Sequence, residues 1–425
     1  MVPLKPHHVM AFCAAAGCIA FLPGAHAQKI EVSPSQVMDD EAASVLVSGV
    51  APGSHVTIRA DLLDGESHRW SSEAEFVADA QGAADSAKLA PVNGSYRVVS
   101  AMGLVWSMRP ESRDAHIYRP PHELASQFIH FHLLQDGKEI STAQVEQIAV
   151  RPGVHQVRVE GVLRGVLFLP PEDGKHPGVL VLSGSEGGLP ARHAAWLASR
   201  GYAAFALCYF HCEGRPPNLE NIPLEYFGQA LSWMTQGPEI DGSRLAVMGT
   251  SRGGELALQL GSIYEQIKAV VAYVPANVRY PACCLVRPAA AWTIQGAPLA
   301  WAGPRQRGDS TVLLRAEIAV EHTHAPILMI GGKDDGVWPS TQMVEAAAAR
   351  LREHHFPYAV TVLAYDHAGH RAGMPEIIPT WHGGVLHPIA GTVMNLGGTP
   401  EGNAESTLDA IPKVLDFLRA SLAEK

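Results

Sequence analysis

The chain has 425 residues, is 47% hydrophobic and 17% charged, and carries a formal net charge of −10, which is ordinary globular composition at a length that favours two domains over one. A mild acidic balance with no long basic run excludes the electrostatic footprint of a nucleic-acid binder. No Cys-x-x-Cys pair with metal-like spacing is present, so a zinc site is not expected. Neither another metal nor a cofactor is expected.

The first stretch is "MVPLKPHHVMAFCAAAGCIAFLPGAHAQ". Lys5 precedes an apolar run from about Val9 to Leu22, Pro23-Gly24 breaks it, and Ala25-His26-Ala27 puts small residues where a signal peptidase cuts. That pattern predicts a signal peptide over residues 1–27 and a periplasmic or secreted protein. The run is too short for a good membrane span, and no later segment reads as transmembrane. Export leaves Cys208, Cys212, Cys283 and Cys284 in a compartment where they can oxidise. Cys212 follows one expected strand and Cys283-Cys284 follow another. A bridge from Cys212 to Cys283 or Cys284 is therefore expected, with free or buried thiols as the alternative.

Residues 28–156 alternate in short stretches. "SVLVSGV", "HVTIRADLL", "EAEFVA", "SYRVVSA" and "FIHFHLL" each read as a strand, separated by turn signals such as Ala51-Pro52-Gly53, Asp64-Gly65, Asn93-Gly94 and Asp136-Gly137. The spacing predicts an immunoglobulin-like antiparallel β-sandwich. It holds no titratable cluster with catalytic spacing, so a structural or binding module is the expectation.

Residues 157–425 read differently. "VLFLP" and "GVLVLSG" are continuous apolar runs, as strands covered on both faces should be. Helical "ARHAAWLASRG", "LEYFGQALSWMTQ" and "GELALQLGSI" alternate with strands "YAAFALCYF", "RLAVMG", "KAVVAYVP" and "PILMIGG". This predicts an α/β domain, doubly wound around a mostly parallel sheet. The stretch from Ala276 to His324 is irregular and rich in Pro, Trp and Arg, and is expected to cap the sheet's C-terminal edge.

Within that domain, Gly249-Thr250-Ser251-Arg252-Gly253 lies between an apolar strand and a helix. This is the setting of a nucleophile elbow, in which a sharp turn exposes a serine hydroxyl. A serine needs a base, and the base an orienting acid. Asp334 and Asp335 follow the strand "ILMIGG", and His367 and His370 follow "AVTVLAY", in the chain order acid then histidine. The amide of Arg252 and a second amide in the turn "SGSEGG", that of Ser185 or a neighbour, are the candidate oxyanion donors.

These residues resemble a known family, the type I acyl-CoA thioesterases together with the bile acid-CoA:amino acid N-acyltransferases. The resemblance rests on "VSGVAPGSHVTIRADLLD" and "AMGLVWSMRPE" in the first half. In the second it rests on "SGSEGGLPARHAAWLASRGYAAFALCY", "IPLEYFGQALSWM", "GTSRGGELAL", "GKDDGVWPS", "AGH" and "LGGTP". It implies an α/β-hydrolase domain behind the sandwich, Ser251 as nucleophile, and His370, which directly follows Gly369, as base. The spacing to the tryptophan of "DDGVWPS" favours Asp335 as the acid, with Asp334 as the alternative. The amidating members carry cysteine as nucleophile, so serine implies transfer to water.

The expected activity is hydrolysis of a small acyl ester or thioester through an acyl-enzyme, with short or medium activated esters foremost. Acyl transfer to an amine and a non-catalytic scaffold are the rival readings. Arg215, Arg252, Arg279 and Arg287 lie near the expected mouth. They are either a binding set for an anionic leaving group or ordinary solvated and paired cations.

Overall fold

The computed structural model describes residues 1–3, 27–285, 287–303 and 309–424. The expected signal segment, with Cys13 and Cys18, falls almost wholly on residues 4–26 and so lies outside the described residues.

From Lys29 onward, strand alternation builds the first layer pair. His55–Leu63 and Arg69–Val77 pair antiparallel and bury Val56, Ile58 and Ala60 against Trp70, Ala74 and Phe76, because successive strand residues face opposite sides. Gln127–Gln135 pairs with the other edge of His55–Leu63. A three-stranded sheet of Lys29–Ser33, Ser44–Ser48 and Ala83–Asp85 lends Ile30, Val45 and Val47 to the same core. The result is the expected sandwich with two changes. Lys138–Ile148 is an eleven-residue strand that the sequence reading passed over. "SYRVVSA" is not a strand: after Ser95 donates its N–H to Glu73, the chain leaves the sheet. Tyr96 then packs edge-on against Trp106, 5.4 Å between ring centroids, beside the short buried helix Gly103–Trp106. Tertiary packing overrides the strand propensity of Tyr and Val there.

The second half is built on an eight-stranded sheet. Its spatial order is His155–Val159, Gly165–Leu169, Ala203–Leu207, His176–Leu182, Ile240–Thr250, Ile267–Tyr273, Ile327–Gly332 and Val360–Tyr365. The first two pairings are antiparallel and the other five parallel. The first strand straddles residue 156, so this sheet begins slightly before the expected domain start. The helices Ala191–Ala198, Leu224–Gln236, Arg252–Gly261, Ser340–Glu353 and Pro400–Ser421 accompany it. Parallel strands covered on both faces account for the fully buried run Ala203–Leu207. Among the described residues no helix is long and apolar enough to cross a membrane.

The two halves share more than a linker. Asp40 accepts from Trp196 Nε1 at 2.7 Å and from Arg200 Nε at 3.1 Å. Ile377 donates its N–H to Asp39 O at 2.6 Å, and Ile377 and Ile378 pack into the sandwich core. The sandwich therefore grips the chain shortly after His370.

The expected Cys212 bridge does not form. Cys208 pairs with Cys212, and Cys283 with its neighbour Cys284. Cys212 turns back toward its own strand because His211, which has a φ of 56°, reverses the chain, with its N–H bonded to Pro216 O.

Candidate active site

Ser251 sits between the strand Ile240–Thr250 and the helix Arg252–Gly261 with φ 58° and ψ −117°. A non-glycine residue rarely takes this conformation. Two features hold it there. Ser251 N–H donates to Tyr273 O at 2.8 Å, and its carbonyl accepts from Glu255 N–H at 2.9 Å. Gly249 and Gly253 let strand and helix close up: a Cβ on Gly249 would run into the Gly253 carbonyl, and one on Gly253 into that of Ser183. Arg252 opens the helix, so its N–H is among those a helix leaves without an intrahelical acceptor.

His370 lies across from the serine. Its Nε2 is 2.9 Å from Ser251 Oγ and its Nδ1 is 2.8 Å from Asp335 Oδ2. An ionised carboxylate only accepts, so Nδ1 carries the proton and Nε2 accepts from the serine hydroxyl. The Asp335 side chain is fully buried, and its Oδ1 accepts from Val337 N–H at 2.9 Å and Trp338 N–H at 3.2 Å. These donors compensate the burial of its charge. Trp338 packs edge-on to His370 at 5.3 Å and is fixed by its own Nε1–H to Val274 O at 3.0 Å. His370 N–H donates to Leu396 O at 2.7 Å, and Gly369 N–H to Asn403 Oδ1 at 2.8 Å. Asp334 points elsewhere: its carboxylate is 3.3 Å from His367 Nδ1, both side chains being largely exposed.

The turn after His176–Leu182 lies against the elbow, its Ser183 carbonyl where a Cβ on Gly253 would go. Gly184 N–H donates to Glu186 Oε1 at 2.9 Å, Gly187 N–H to Gly184 O at 3.3 Å and Gly188 N–H to Phe210 O at 3.1 Å. Ser185 is held instead through its side chain, by His387 Nε2 at 3.0 Å. Sequence reasoning missed His387, because a lone histidine in the irregular stretch "VLHPIAG" carries no periodicity or motif. Among the described residues, Cys283, Cys284 and His387 form a group whose ligand atoms lie within 4.8 Å of one another. The two sulfurs are bonded to each other there.

Glu255 was also missed, although a charge three residues after Arg252 inside an apolar helix was a visible signal. It is fully buried, accepts from Trp292 Nε1 at 2.7 Å and Tyr280 N–H at 3.2 Å, and pairs with Arg252 Nε at 3.0 Å. Burial raises its pKa, opposed chiefly by the Arg252 charge. Arg252 further donates to Pro281 O at 2.6 Å and Tyr280 O at 3.0 Å. Arg279 is occupied by Gln259 at 3.0 Å and Ala300 O at 2.9 Å, and Arg215 lies 3.7 Å over the Tyr226 ring. Of the four expected mouth cations, Arg252 and Arg279 are thus bound up inside the fold, and Arg287 is exposed.

Two cavities lie in this half of the molecule, one of them reaching Thr250, the chain neighbour of Ser251. One of about 230 Å³ is lined by Gly184, His193, Thr250, Met374 and Glu376. The other, of about 470 Å³ and mostly apolar, is lined by Val278, Tyr280, Leu313, Leu314 and Met343, and the Tyr280 ring in its wall is 5.0 Å from that of Trp338.

Residues 40–161 match the family profile described as the acyl-CoA thioester hydrolase/BAAT N-terminal region, and residues 222–290 and 305–424 match the BAAT/acyl-CoA thioester hydrolase C-terminal profile. Rat mitochondrial acyl-coenzyme A thioesterase 2 is 31% identical over 405 residues, spanning 91% of this chain and 87% of its own. The chain belongs to the acyl-CoA thioester hydrolase/BAAT family. Mouse acyl-coenzyme A thioesterase 1 is 30% identical, covering 91% of this chain and 94% of its own length. Human acyl-coenzyme A thioesterase 6 is 29% identical with the same coverage of 91% and 94%. Among solved structures, a puromycin-hydrolysing peptidase of Mycobacterium tuberculosis is similar at a TM-score of 0.44 and 14% identity, over 89% of this chain and 54% of that one. With these thioesterase relatives, the protein is a hydrolase, and its second half has an α/β fold.

Proposed function

We propose that the protein is a serine hydrolase of acyl thioesters and esters, with Ser251 as nucleophile, His370 as base and acid, and Asp335 as orienting acid. The observation that carries this reading is the hydrogen-bonded chain Ser251–His370–Asp335, 2.9 and 2.8 Å, on an elbow with φ 58°. Ser251 Oγ attacks the acyl carbon while His370 Nε2 takes its proton, and Asp335 stabilises the resulting imidazolium. The oxyanion is received by the amides of Arg252 and Ser185. His370 returns the proton to the leaving group, then activates the water that releases the acid from the acyl-enzyme.

The names of the relatives support a thioester substrate with a CoA leaving group. Two observations support smaller leaving groups as well: Arg252 and Arg279 are engaged inside the fold, and the N-terminal sequence reads as an export signal. The proposed setting is the periplasm or the exterior, where CoA esters are scarce.

The test is a panel of acyl thioesters and oxygen esters of graded chain length, run with the mature chain and Ser251→Ala. Turnover of the panel that vanishes in Ser251→Ala supports the reading. Turnover that survives the substitution overturns it.

A further inference from the structure

His387 lies 17 residues beyond His370 and outside every motif of the family resemblance, yet its side chain reaches the turn that lies against the nucleophile elbow. It opens the loop of the hairpin formed by Val385–Leu386 and Val393–Met394. Its backbone closes that hairpin, N–H to Thr392 O at 2.9 Å and carbonyl from Gly391 N–H at 3.0 Å. The imidazole turns inward and is 3% exposed as a residue.

Both ring nitrogens are committed. Nδ1 accepts from Ile389 N–H at 3.2 Å and Ala390 N–H at 3.0 Å. A nitrogen facing two amide donors must present its lone pair, so the proton resides on Nε2. Nε2–H therefore donates to Ser185 Oγ at 3.0 Å, across 202 residues of sequence. Cys284 Sγ packs against the ring, 3.8 Å from Nδ1 and 4.0 Å from Nε2, so the Cys283–Cys284 pair walls one side. Burial, reinforced by nearby His211, pushes the imidazole's pKa below its usual value, consistent with a ring kept neutral.

Ser185 is thereby fixed from its side chain, in a turn whose Gly184, Gly187 and Gly188 amides are engaged by Glu186, Gly184 and Phe210. We propose that His387 is a positioning residue that holds the oxyanion turn in register with Ser251 through Ser185. The inference rests on the serine-hydrolase reading above. A donor aimed where charge develops must not reorganise during the reaction, and displacement by about 1 Å costs about 100-fold. Pinning the turn to the 385–394 hairpin through a ring whose tautomer is fixed at its other nitrogen meets that requirement.

The test is a double-mutant cycle in the full mature chain with a chromogenic short-chain acyl ester. His387→Ala and Ser185→Ala should each lower kcat by roughly 10- to 100-fold with KM within about threefold, because an interaction realised in the transition state is lost. The double variant should be no slower than the worse single one, since both remove the same contact. His387→Gln, which offers an acceptor and an N–H donor in one side chain, should recover most of the loss. Multiplying effects, or a folded Ser185→Ala with unchanged kcat, would overturn the proposal even if His387→Ala failed to fold. Ser251→Ala in the same assay separates the two levels. If it remains active, the serine-hydrolase reading itself falls. If it is dead and the cycle is additive, only the role of His387 falls.

Discussion

Two aspartate–histidine pairs stand side by side in this molecule, from adjacent aspartates and from histidines three residues apart. Asp335 and His370 meet at 2.8 Å with side chains 0% and 10% exposed, whereas Asp334 and His367 meet at 3.3 Å with 51% and 75% exposed. The first carboxylate has two backbone amides on its second oxygen, and its histidine lies against Trp338. The second pair has water as competitor for every bond, and an ion pair of that kind fixes little. Identical residue types thus differ in what they can do. A proton relay needs one tautomer and one orientation, and burial with saturated partners supplies both. His367 lacks the remaining requirement too, since only His370 reaches a hydroxyl.

The comparison can be broken most forcefully at the nucleophile. Ser251→Ala should reduce kcat by up to about 10⁶-fold, and His370→Ala by nearly as much, while His367→Ala stays within about twofold. Steady-state kinetics on the preferred ester decide this, and a large loss in His367→Ala would reverse the assignment. Next comes the acid. Asp335→Asn should cost about 10⁴-fold through the wrong tautomer, and Asp334→Asn less than about twofold. Equal losses in the two would show that burial is not what separates the pairs.

A smaller effect probes how His370 is held. Trp338→Phe keeps a ring against the imidazole but removes the bond from Nε1 to Val274 O. Thermal or denaturant unfolding should show a loss of about 1 kcal/mol, with activity falling less than tenfold. An unchanged stability would mean that this bond does not fix the tryptophan.

A last effect, on stability rather than on activity, uses a third carboxylate as a control on burial itself. Asp39 lies at the junction of the two halves, 2.9 Å from Arg192. Burial, opposed by the Arg192 charge, raises its pKa to about 8. The folded chain then holds a proton that the unfolded chain releases near pH 4. Stability from this group is therefore fully present at acid pH and falls as pH rises toward 8. Asp39→Asn should flatten that decline in unfolding experiments between pH 5 and 9. A decline that is unchanged would place the proton elsewhere.

Much of this arrangement was legible in the sequence, for identifiable reasons. Apolar runs such as "GVLVLSG" and the helix "LEYFGQALSWMTQ" show their periodicity directly, and the latter spans Leu224–Gln236 as read. Gly249 and Gly253 announce a close approach of strand and helix. Asp334 and Asp335 could not be told apart, because their difference is one of burial, and Asp335 bridges to Gly397 far along the chain. The strand Lys138–Ile148 escaped notice since only Val145 and Gln147 are buried in it, which leaves little alternation to read. The cysteine pairing was misread because two residues near one sheet edge need not face each other. His387 is the clearest case of information absent from local sequence. Its meaning depends on Ser185, 202 residues away.

The central claim is that Ser251 becomes acylated with His370 and Asp335 behind it. Intact-protein mass spectrometry after treatment with a fluorophosphonate, followed by peptide mapping, tests it most directly. The account predicts one adduct per chain on Ser251, lost in Ser251→Ala, formed far more slowly in Asp335→Asn, and unaffected in Asp334→Asn. A folded, hydrolytically active chain that takes no label on Ser251, or takes it on another residue, would contradict the account.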